Sequence, residues 1–171
     1  MTNSAQKSTV EIMAPVGSWE ALTAAINAGC NSIYFGIEQL NMRARSSINF
    51  TLEDLVTIAE KCSAPNVKTY ITLNTIMYDH DMALMRNIVK TAKESGITAV
   101  IASDHAVMAY AIKIGMPVHI STQTNVTNIE TVEFYAAFAD VMVMSRELSL
   151  RQVAFVTNEI KRRNITGPSG N

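Results

Sequence analysis

The stretch "AVIASDHAVMAYAIKIGMPVHISTQ", from Ala99 to Gln123, contains two short apolar runs separated by a helical segment. The first run, Ala99–Ser103, is apolar at successive positions, which is typical of a parallel strand covered on both faces. The segment His105–Gly115 has the length of a helix and ends at a glycine. The second run begins at Val118. A strand, a helix and a further strand in this order predict a right-handed crossover between parallel strands.

The same strand–helix unit occurs six times along the chain. The predicted strands are Val10–Val16, Ser32–Ile37, Val67–Asn74, Ala99–Ser103, Val118–Gln123 and Val141–Leu148. The predicted helices are Gly17–Gly29, Thr51–Cys62, Asp79–Ser95, His105–Gly115, Asn128–Ala139 and Ser149–Arg163. Ser18 is predicted to cap the first helix, and Thr51 with Asp54 forms a variant of the capping box at the second. Alternating strands and helices of these lengths predict an α/β protein with a parallel sheet.

Two parallel architectures fit this alternation: an open doubly wound sheet and a (β/α)8 barrel. The turn after the first strand, "APVGSWEA", has only Gly17, so the glycine-rich dinucleotide fingerprint is absent. The loops after strands 2, 3, 5 and 6 are polar, which favours a barrel with its site at the carboxyl ends of the strands. Six units fill the chain, whereas a complete barrel has eight. We therefore interpret residues 1–171 as the N-terminal part of a TIM-barrel-like domain, an incomplete barrel of about six units that ends at a loop.

An incomplete barrel has a physical consequence for its first and last strands. Both would be edge strands, with unpaired backbone groups and exposed apolar side chains where two units are missing. We therefore expect the chain to self-associate through its open barrel edges or to accept another chain in the gap.

Composition excludes several classes of protein. The formal net charge is −1 and 48% of residues are hydrophobic, so there is a sizeable core and no general electrostatic attraction to nucleic acid or anionic membranes, although a local basic patch remains open. No secretory signal opens the chain and no apolar run is long enough to cross a membrane. We expect a cytoplasmic protein. The two cysteines, Cys30 and Cys62, are too few for a disulfide framework or a four-cysteine metal site.

The neutral polar tract "STQTNVTN", residues 121–128, begins in the last residues of the predicted fifth strand and continues beyond it. Because the carboxyl ends of barrel strands converge on one mouth, residues that follow strands 2 to 6 are expected to be neighbours. Uncharged donors and acceptors held there would orient a polar ligand. The residues expected at this mouth are Glu38, Asn41, Arg43, Arg45, Asn74, Tyr78, Ser103, Asp104, His105, Ser121, Gln123, Asn125, Ser145, Arg146 and Glu147.

The residue types at this mouth do not by themselves identify a reaction. Arg43, Arg45 and Arg146 would suit a carboxylate or phosphate, or Arg146 would pair with a neighbouring glutamate while the others remain solvated. Asp104 and His105 look like an acid–base pair, but a helix-capping role for Asp104 is favoured. No convincing set of nucleophile, base and orienting group is present, and no metal-ligand spacing.

Several blocks taken together resemble a known family. The block "EIMAPVGSWEALTAAINAGCNSIYFGIEQLNMRARSSINFTLEDL" is similar to the opening of peptidase family U32, the collagenase-like proteases, and "YITLNTIMYDHD", "STQTNVTN" and "SRELSL" match later segments in order. The resemblance covers about Val10 to Gly170. It implies a TIM-barrel-like domain and substrate-binding roles for Asn41, Arg43, Arg45, Asn74, Gln123, Asn125, Arg146 and Glu147.

The function that the resemblance implies is divided. One group of family members carries a [4Fe–4S] cluster and serves oxygen-independent hydroxylation of RNA bases or of a small aromatic precursor. The family is also labelled as metal-dependent peptidases that act on collagen. The family's cysteine-rich signature would follow the end of this chain, so no cluster ligand falls on Cys30 or Cys62 and no cofactor is expected within residues 1–171. We expect a hydroxylation protein whose ligand is an RNA base or a polar or anionic small molecule. The alternatives are a collagenase-like peptidase and a non-catalytic ligand-binding or assembly module.

Overall fold

The computed structural model describes residues 10–37, 40 and 50–170. Within them the strands are β1 Met13–Pro15, β2 Ser32–Gly36, β3 Lys68–Leu73, β4 Ala99–Ala102, β5 Val118–Ile120 and β6 Val141–Met142. The helices are α1 Trp19–Asn27, α2 Asp54–Ser63, α3 Met82–Glu94, α4 His105–Ile114, α5 Ile129–Ala136 and α6 Leu150–Arg163. Two short 3₁₀ turns, Asp79–Asp81 and Thr122–Thr124, follow β3 and β5.

The six strands form one sheet in which every neighbouring pair is parallel and the spatial order is the sequence order, β1 to β6. Tyr34 lies opposite Tyr70, and Tyr70 lies opposite Ala99. A doubly wound sheet reverses its strand order at a switch point, and the described sheet has no such reversal. Sequential order is the order of a barrel, and the sheet curls into a half-barrel. The predicted incomplete TIM-like barrel is confirmed.

The main core lies between one face of the sheet and the helices. Ile33, Ile71 and Ile120 project from alternate positions of their strands and are fully buried. Leu55 of α2 and Ile88 of α3 are fully buried in the same cluster. The period of two along each strand and of about 3.6 along each helix therefore brings the apolar stripes of both together.

The helix starts follow capping chemistry with one correction. The Ser18 hydroxyl accepts the Ala21 N–H over 3.2 Å, so Ser18 is the predicted N-cap of α1. The prediction that Thr51 starts α2 is wrong, because the helix begins at Asp54. The Asp54 carboxylate does accept the Thr51 N–H, over 2.8 Å, but this bond closes a turn that precedes the helix.

The outer strands are shorter than predicted. The predicted runs Val10–Val16 and Val141–Leu148 shrink to β1 and β6, each paired on one side only within the described sheet. An edge strand has backbone partners on one side only, so less of it is held in register. The predicted run Val118–Gln123 ends at Ile120, because the Ser121 hydroxyl accepts the Gln123 N–H and starts the 3₁₀ turn.

A smaller cluster occupies the opposite face of the sheet, inside the half-barrel. Tyr70 and Ile101 are buried there with Ala99, and Tyr34 packs against them. The Glu11 carboxylate accepts hydrogen bonds from the Lys68 ammonium over 2.6 Å and the Tyr70 hydroxyl over 2.7 Å. The polar end of a buried tyrosine is thereby satisfied at the amino-terminal end of the strands.

Exposed apolar side chains mark both edges of the sheet. Val10 is 85% exposed and Ile12 63% at the β1 edge, and Val141 is 43% exposed in β6. Among the described residues, no helix is long and apolar enough to span a bilayer.

Candidate functional site at the carboxyl ends of the strands

A groove of about 460 Å³ lies where β3, β4 and β5 end. Its lining combines neutral amides and hydroxyls with one carboxylate, one imidazole and one apolar side chain: Asn74, Thr75, Ile76, Ser103, Asp104, His105 and Gln123. Three segments far apart in sequence meet here because parallel strands present their carboxyl ends at one edge. The volume falls in the range of small-molecule sites.

Asp104 ties the loops of this groove together. One carboxylate oxygen accepts the Ala106 N–H over 2.8 Å and caps α4. The other accepts the Met77 N–H over 3.1 Å, from the loop after β3. The favoured capping interpretation is confirmed, and the second bond, which sequence reasoning missed, sets the position of the chain that carries Asn74. Both carboxylate oxygens are engaged by backbone, so Asp104 is a positioning group for the groove.

The polar tract after β5 serves two purposes. Ser121 is buried and bonds the backbone of the 3₁₀ turn, and the Thr124 hydroxyl donates to the Ser121 carbonyl over 2.8 Å. These bonds hold Gln123, which is exposed and lines the groove. Asn125 ends the turn in the left-handed conformation with φ of 52°, and it does not line the groove. Much of the tract is therefore local scaffold, and Gln123 is the member that faces the groove.

Arg146 and Glu147 lie in the loop after β6. The Ser145 N–H donates to the Val126 carbonyl over 2.9 Å, which joins this loop to the end of the polar tract. The Glu147 carboxylate accepts the Ser145 hydroxyl, and this bond lowers the pKa of Glu147. Both residues are exposed, and neither lines the groove that contains Asn74 and Gln123.

The remaining predicted site residues, Asn41, Arg43 and Arg45, lie outside the described residues, as does Glu38. Of the predicted substrate-binding set, the structure brings Asn74 and Gln123 together in one groove. Thr75 and Ile76 were not predicted there. The one sequence feature that could have identified Thr75 and Ile76 is their position, shortly after a strand that ends at the mouth.

The histidines near the site differ in setting. His105, the first residue of α4, is exposed in the groove, and its ring centroid lies 6.5 Å from that of Tyr135. His119 faces the inside of the half-barrel, 4.6 Å from the Tyr70 ring, and burial lowers its pKa below the usual 6.5. His105 is therefore the imidazole available to a ligand in the groove, and His119 is part of the inner packing.

The residues of the described chain do not fit an iron–sulfur cluster. Among residues 10–37, 40 and 50–170, no three histidine, cysteine or acidic side chains are grouped so as to hold a metal. Cys30 and Cys62 are buried, and burial raises the pKa of Cys62 to about 11 and that of Cys30 above its usual value. Cluster ligation requires thiolates, and these surroundings favour the protonated thiols.

A second groove, of about 300 Å³, lies between α5, β6 and α6 and is almost wholly apolar. Val132, Met142, Val156 and Ile160 contribute to it, and Asp140 is its one carboxylate among the described lining residues. Asp140 is bonded to the Ser169 N–H and hydroxyl, over 3.0 and 2.8 Å. Convergent polar groups that would orient a substrate are missing from this lining, so the groove at the strand ends is the better candidate site.

Comparisons with known proteins identify the family of the chain. Residues 17–165 match the sequence profile of peptidase family U32. The chain is 57% identical over 160 residues to a "Collagenase" of Porphyromonas gingivalis, an alignment that covers 94% of this chain and 39% of that protein. It is 32% identical over 144 residues to "tRNA hydroxylation protein P" of Helicobacter pylori, covering 82% of this chain and 34% of that protein.

The fold has a counterpart among solved structures. A U32 peptidase superposes with a TM-score of 0.71 at 15% identity, over 88% of this chain and 65% of that one. The alignment with the Porphyromonas gingivalis collagenase shows that the chain spans about two fifths of the length of that relative, at 39%.

Proposed function

Because the chain belongs to peptidase family U32, we propose that it is the barrel part of an RNA-hydroxylation protein and that its groove receives an RNA base. Relatives in this family include proteins named for tRNA hydroxylation as well as collagenases. The observation that carries the proposal is the lining of the groove, where Asn74, Ser103 and Gln123 offer neutral donors and acceptors. Neutral amides and hydroxyls match the edge of a nucleobase, which presents donors and acceptors without charge.

The second candidate is a collagenase-like peptidase. It is favoured by the 57% identity to a protein of that name. Peptide hydrolysis needs an activated nucleophile or a metal-bound water. In the groove, the Asp104 carboxylate is already bonded to two backbone N–H groups. The neutral amide and hydroxyl lining of the groove favours the RNA hypothesis.

We propose an iron–sulfur cluster only for the whole protein and not within residues 1–171. Since Cys30 and Cys62 do not fit such a cluster, we propose that any cluster is held by other residues, and we derive no chemical step through it. The function that we assign to the described residues is substrate binding at the groove. We also propose a cytoplasmic location, in keeping with an RNA substrate.

The remaining predicted binding residues belong to the same proposal. Asn125, Arg146 and Glu147 would act around the groove, since they do not line it. Asn41, Arg43 and Arg45 lie outside the described residues, and we propose them as further substrate contacts. The arginines of this set would contact phosphates that flank the base. A polar or anionic small molecule remains the alternative ligand for this set.

The proposal is tested with the 171-residue chain and two labelled probes, a short single-stranded RNA and a gelatin peptide. We expect fluorescence anisotropy to show binding of the RNA, and Asn74→Ala and Gln123→Ala each to weaken it several-fold, since each removes a base-edge contact. The matched control is Asn158→Ala, which removes an exposed amide from α6 and should leave affinity unchanged. Binding or cleavage of gelatin without RNA binding would overturn the proposal in favour of the peptidase.

A further inference from the structure

The loop that follows β3 presents two large apolar side chains to solvent. Ile76 is 73% exposed and Tyr78 61%, whereas the intervening Met77 is buried at 9%. Alternate exposure of successive residues is the pattern of an extended chain, in which i and i+2 share a side. Ile76 lines the groove at the strand ends. Tyr78 is therefore two positions beyond a residue that lines the groove, on the same side of the chain, and it is 61% exposed.

The Tyr78 ring is held in place rather than loosely attached. Its plane is within 5° of the His80 ring at a centroid distance of 5.7 Å, an offset stack. The Tyr78 N–H donates to the Asp81 carboxylate over 2.9 Å, and the preceding Met77 N–H donates to Asp104. These two bonds, from adjacent N–H groups, hold the loop in place before any ligand arrives. A planar ligand that stacks there pays little ordering cost.

We infer that Tyr78 is a stacking platform for an unpaired base of single-stranded RNA, next to the groove in which Asn74 and Gln123 meet base edges. This inference rests on the proposed function and names the surface that distinguishes single-stranded from duplex RNA. Proteins recognise unpaired RNA by stacking bases on aromatic rings and bonding their edges with polar side chains. Both elements occur here within one loop and the groove beside it.

The charges around Tyr78 favour a base over a phosphate. Asp79 and Asp81 flank His80 in the 3₁₀ turn, and the Asp81 carboxylate lies 3.5 Å from the His80 imidazole. Carboxylates repel the phosphate backbone, so this surface can attract a base by its ring face but cannot gain from counterion release. The contribution of Tyr78 to binding should therefore be insensitive to salt.

The experiment measures binding of a fluorescein-labelled oligouridylate to the 171-residue chain by anisotropy, with the wild type, Tyr78→Ala, Tyr78→Phe and Phe134→Ala. Phe134 is the matched control, since it is 55% exposed on α5 and does not line the groove. We expect Tyr78→Ala to weaken binding about tenfold, in line with the usual contribution of one stacked base. Tyr78→Phe keeps the ring and should bind like the wild type, as should Phe134→Ala.

Two further arms sharpen the result. The loss in Tyr78→Ala should be the same at about 50 and about 200 mM salt, because it is not electrostatic. A duplex of the same length, whose bases are already stacked, should bind equally weakly to the wild type and to Tyr78→Ala. Circular dichroism and thermal unfolding of each variant confirm that the fold is intact, as expected for a side chain that is 61% exposed.

Each outcome separates this inference from the function on which it rests. RNA binding by the wild type that Tyr78→Ala leaves unchanged overturns the stacking platform and leaves the proposed function standing. Equal losses in Tyr78→Ala and Phe134→Ala show a general surface effect and also overturn it. No RNA binding by the wild type overturns both, and binding of a gelatin peptide that depends on Tyr78 reassigns the platform to a polypeptide.

Discussion

The Asp104 carboxylate accepts the backbone N–H of Met77 over 3.1 Å, from a loop 27 residues earlier in the chain. The same carboxylate caps α4 through the Ala106 N–H. One side chain thus sets both the start of a helix and the course of the loop after β3. Ile76, which lines the groove, and Tyr78 are the neighbours of Met77 in that loop, so this bond helps to position both.

Removing Asp104 tests that role directly. Asp104→Ala leaves the Ala106 and Met77 N–H groups without their acceptor, and we expect the free energy of unfolding to fall by about 2 kcal/mol. Asp104→Asn keeps one acceptor oxygen for the cap and should cost about 1 kcal/mol. Urea unfolding followed by circular dichroism measures both. Asp79→Ala, which removes an exposed carboxylate from the nearby 3₁₀ turn, is the control and should change stability little. A cost for Asp104→Ala no larger than that of the control would contradict the role.

Acid should weaken the fold through Glu11. Burial opposes ionisation of this carboxyl, but hydrogen bonds from Lys68 and Tyr70 and the Lys68 charge outweigh it and lower its pKa from 4.5 to about 2. A carboxyl with a depressed folded pKa contributes stability above its unfolded pKa, and this is lost as the pH falls from 4.5 towards 2. The Lys68 side chain is 56% exposed, so screening limits the contribution to about 1 kcal/mol.

The check for Glu11 is the pH profile of unfolding. Glu11→Gln should lose about 1 kcal/mol at neutral pH and show a shallower decline in acid than the wild type. Glu94→Gln is the control, because its side chain is 63% exposed and its ion pair with Lys90 lies within α3. Parallel acid profiles for the wild type and Glu11→Gln would show that Glu11 is not the group responsible.

His119 should add a second, milder pH dependence. Burial lowers its pKa below the usual 6.5; the charges of Glu11 and Asp140 raise it in part, and that of Lys68 lowers it. Protonation is therefore easier in the unfolded chain, so the contribution of neutral His119 is present above about pH 6.5 and is lost as the pH falls below it. The slope is at most about 1.4 kcal/mol per pH unit.

Replacing His119 removes the titrating group. In His119→Gln we expect unfolding free energies measured between about pH 7.5 and pH 5 to lose most of this slope. His80→Gln is the control, since the His80 side chain is 79% exposed. A pH slope that persists in His119→Gln and vanishes in His80→Gln would show that His80, and not His119, is the titrating group.

Self-association through the edges is a proposal that sedimentation can decide. Val141 is 43% exposed in β6, which is paired only with β5 in the described sheet. A charge on an edge strand disfavours pairing with another chain, so Val141→Lys should shift the wild-type oligomer towards monomer. Ile112→Lys, at 44% exposure on α4, is the control. A wild type that is monomeric at high concentration excludes association through these edges.

The architecture was largely readable from the chain because its signals are local. Apolar runs such as Ile33–Phe35 and Val100–Ala102, each followed by a capped helix, predict strands and crossovers without knowledge of partners. The ends of elements were less predictable. β6 shrinks to two residues because it is an edge strand, and α2 starts at Asp54 because a side-chain bond closes a turn first.

The position of the groove was predictable from the sequence, but the residues that line it were predictable only in part. Asn74 and Gln123 were expected at the mouth because both follow strands, and they meet there. Asn125 was expected with them, but it adopts a left-handed backbone to end a 3₁₀ turn and does not line the groove. That difference of two positions depends on how Ser121 bonds the turn, which residue type alone does not determine.

The sequence by itself determined the parallel order of strands and helices and the end of the sheet at which polar side chains collect, since periodicity and connection handedness are local properties. The tertiary structure alone decided which of those side chains share a groove. Distances between Asn74, Asp104 and Gln123 depend on strand register, on the curl of the sheet and on single bonds such as that from Met77 to Asp104. These follow from packing over the whole half-barrel, and no short stretch of sequence contains them.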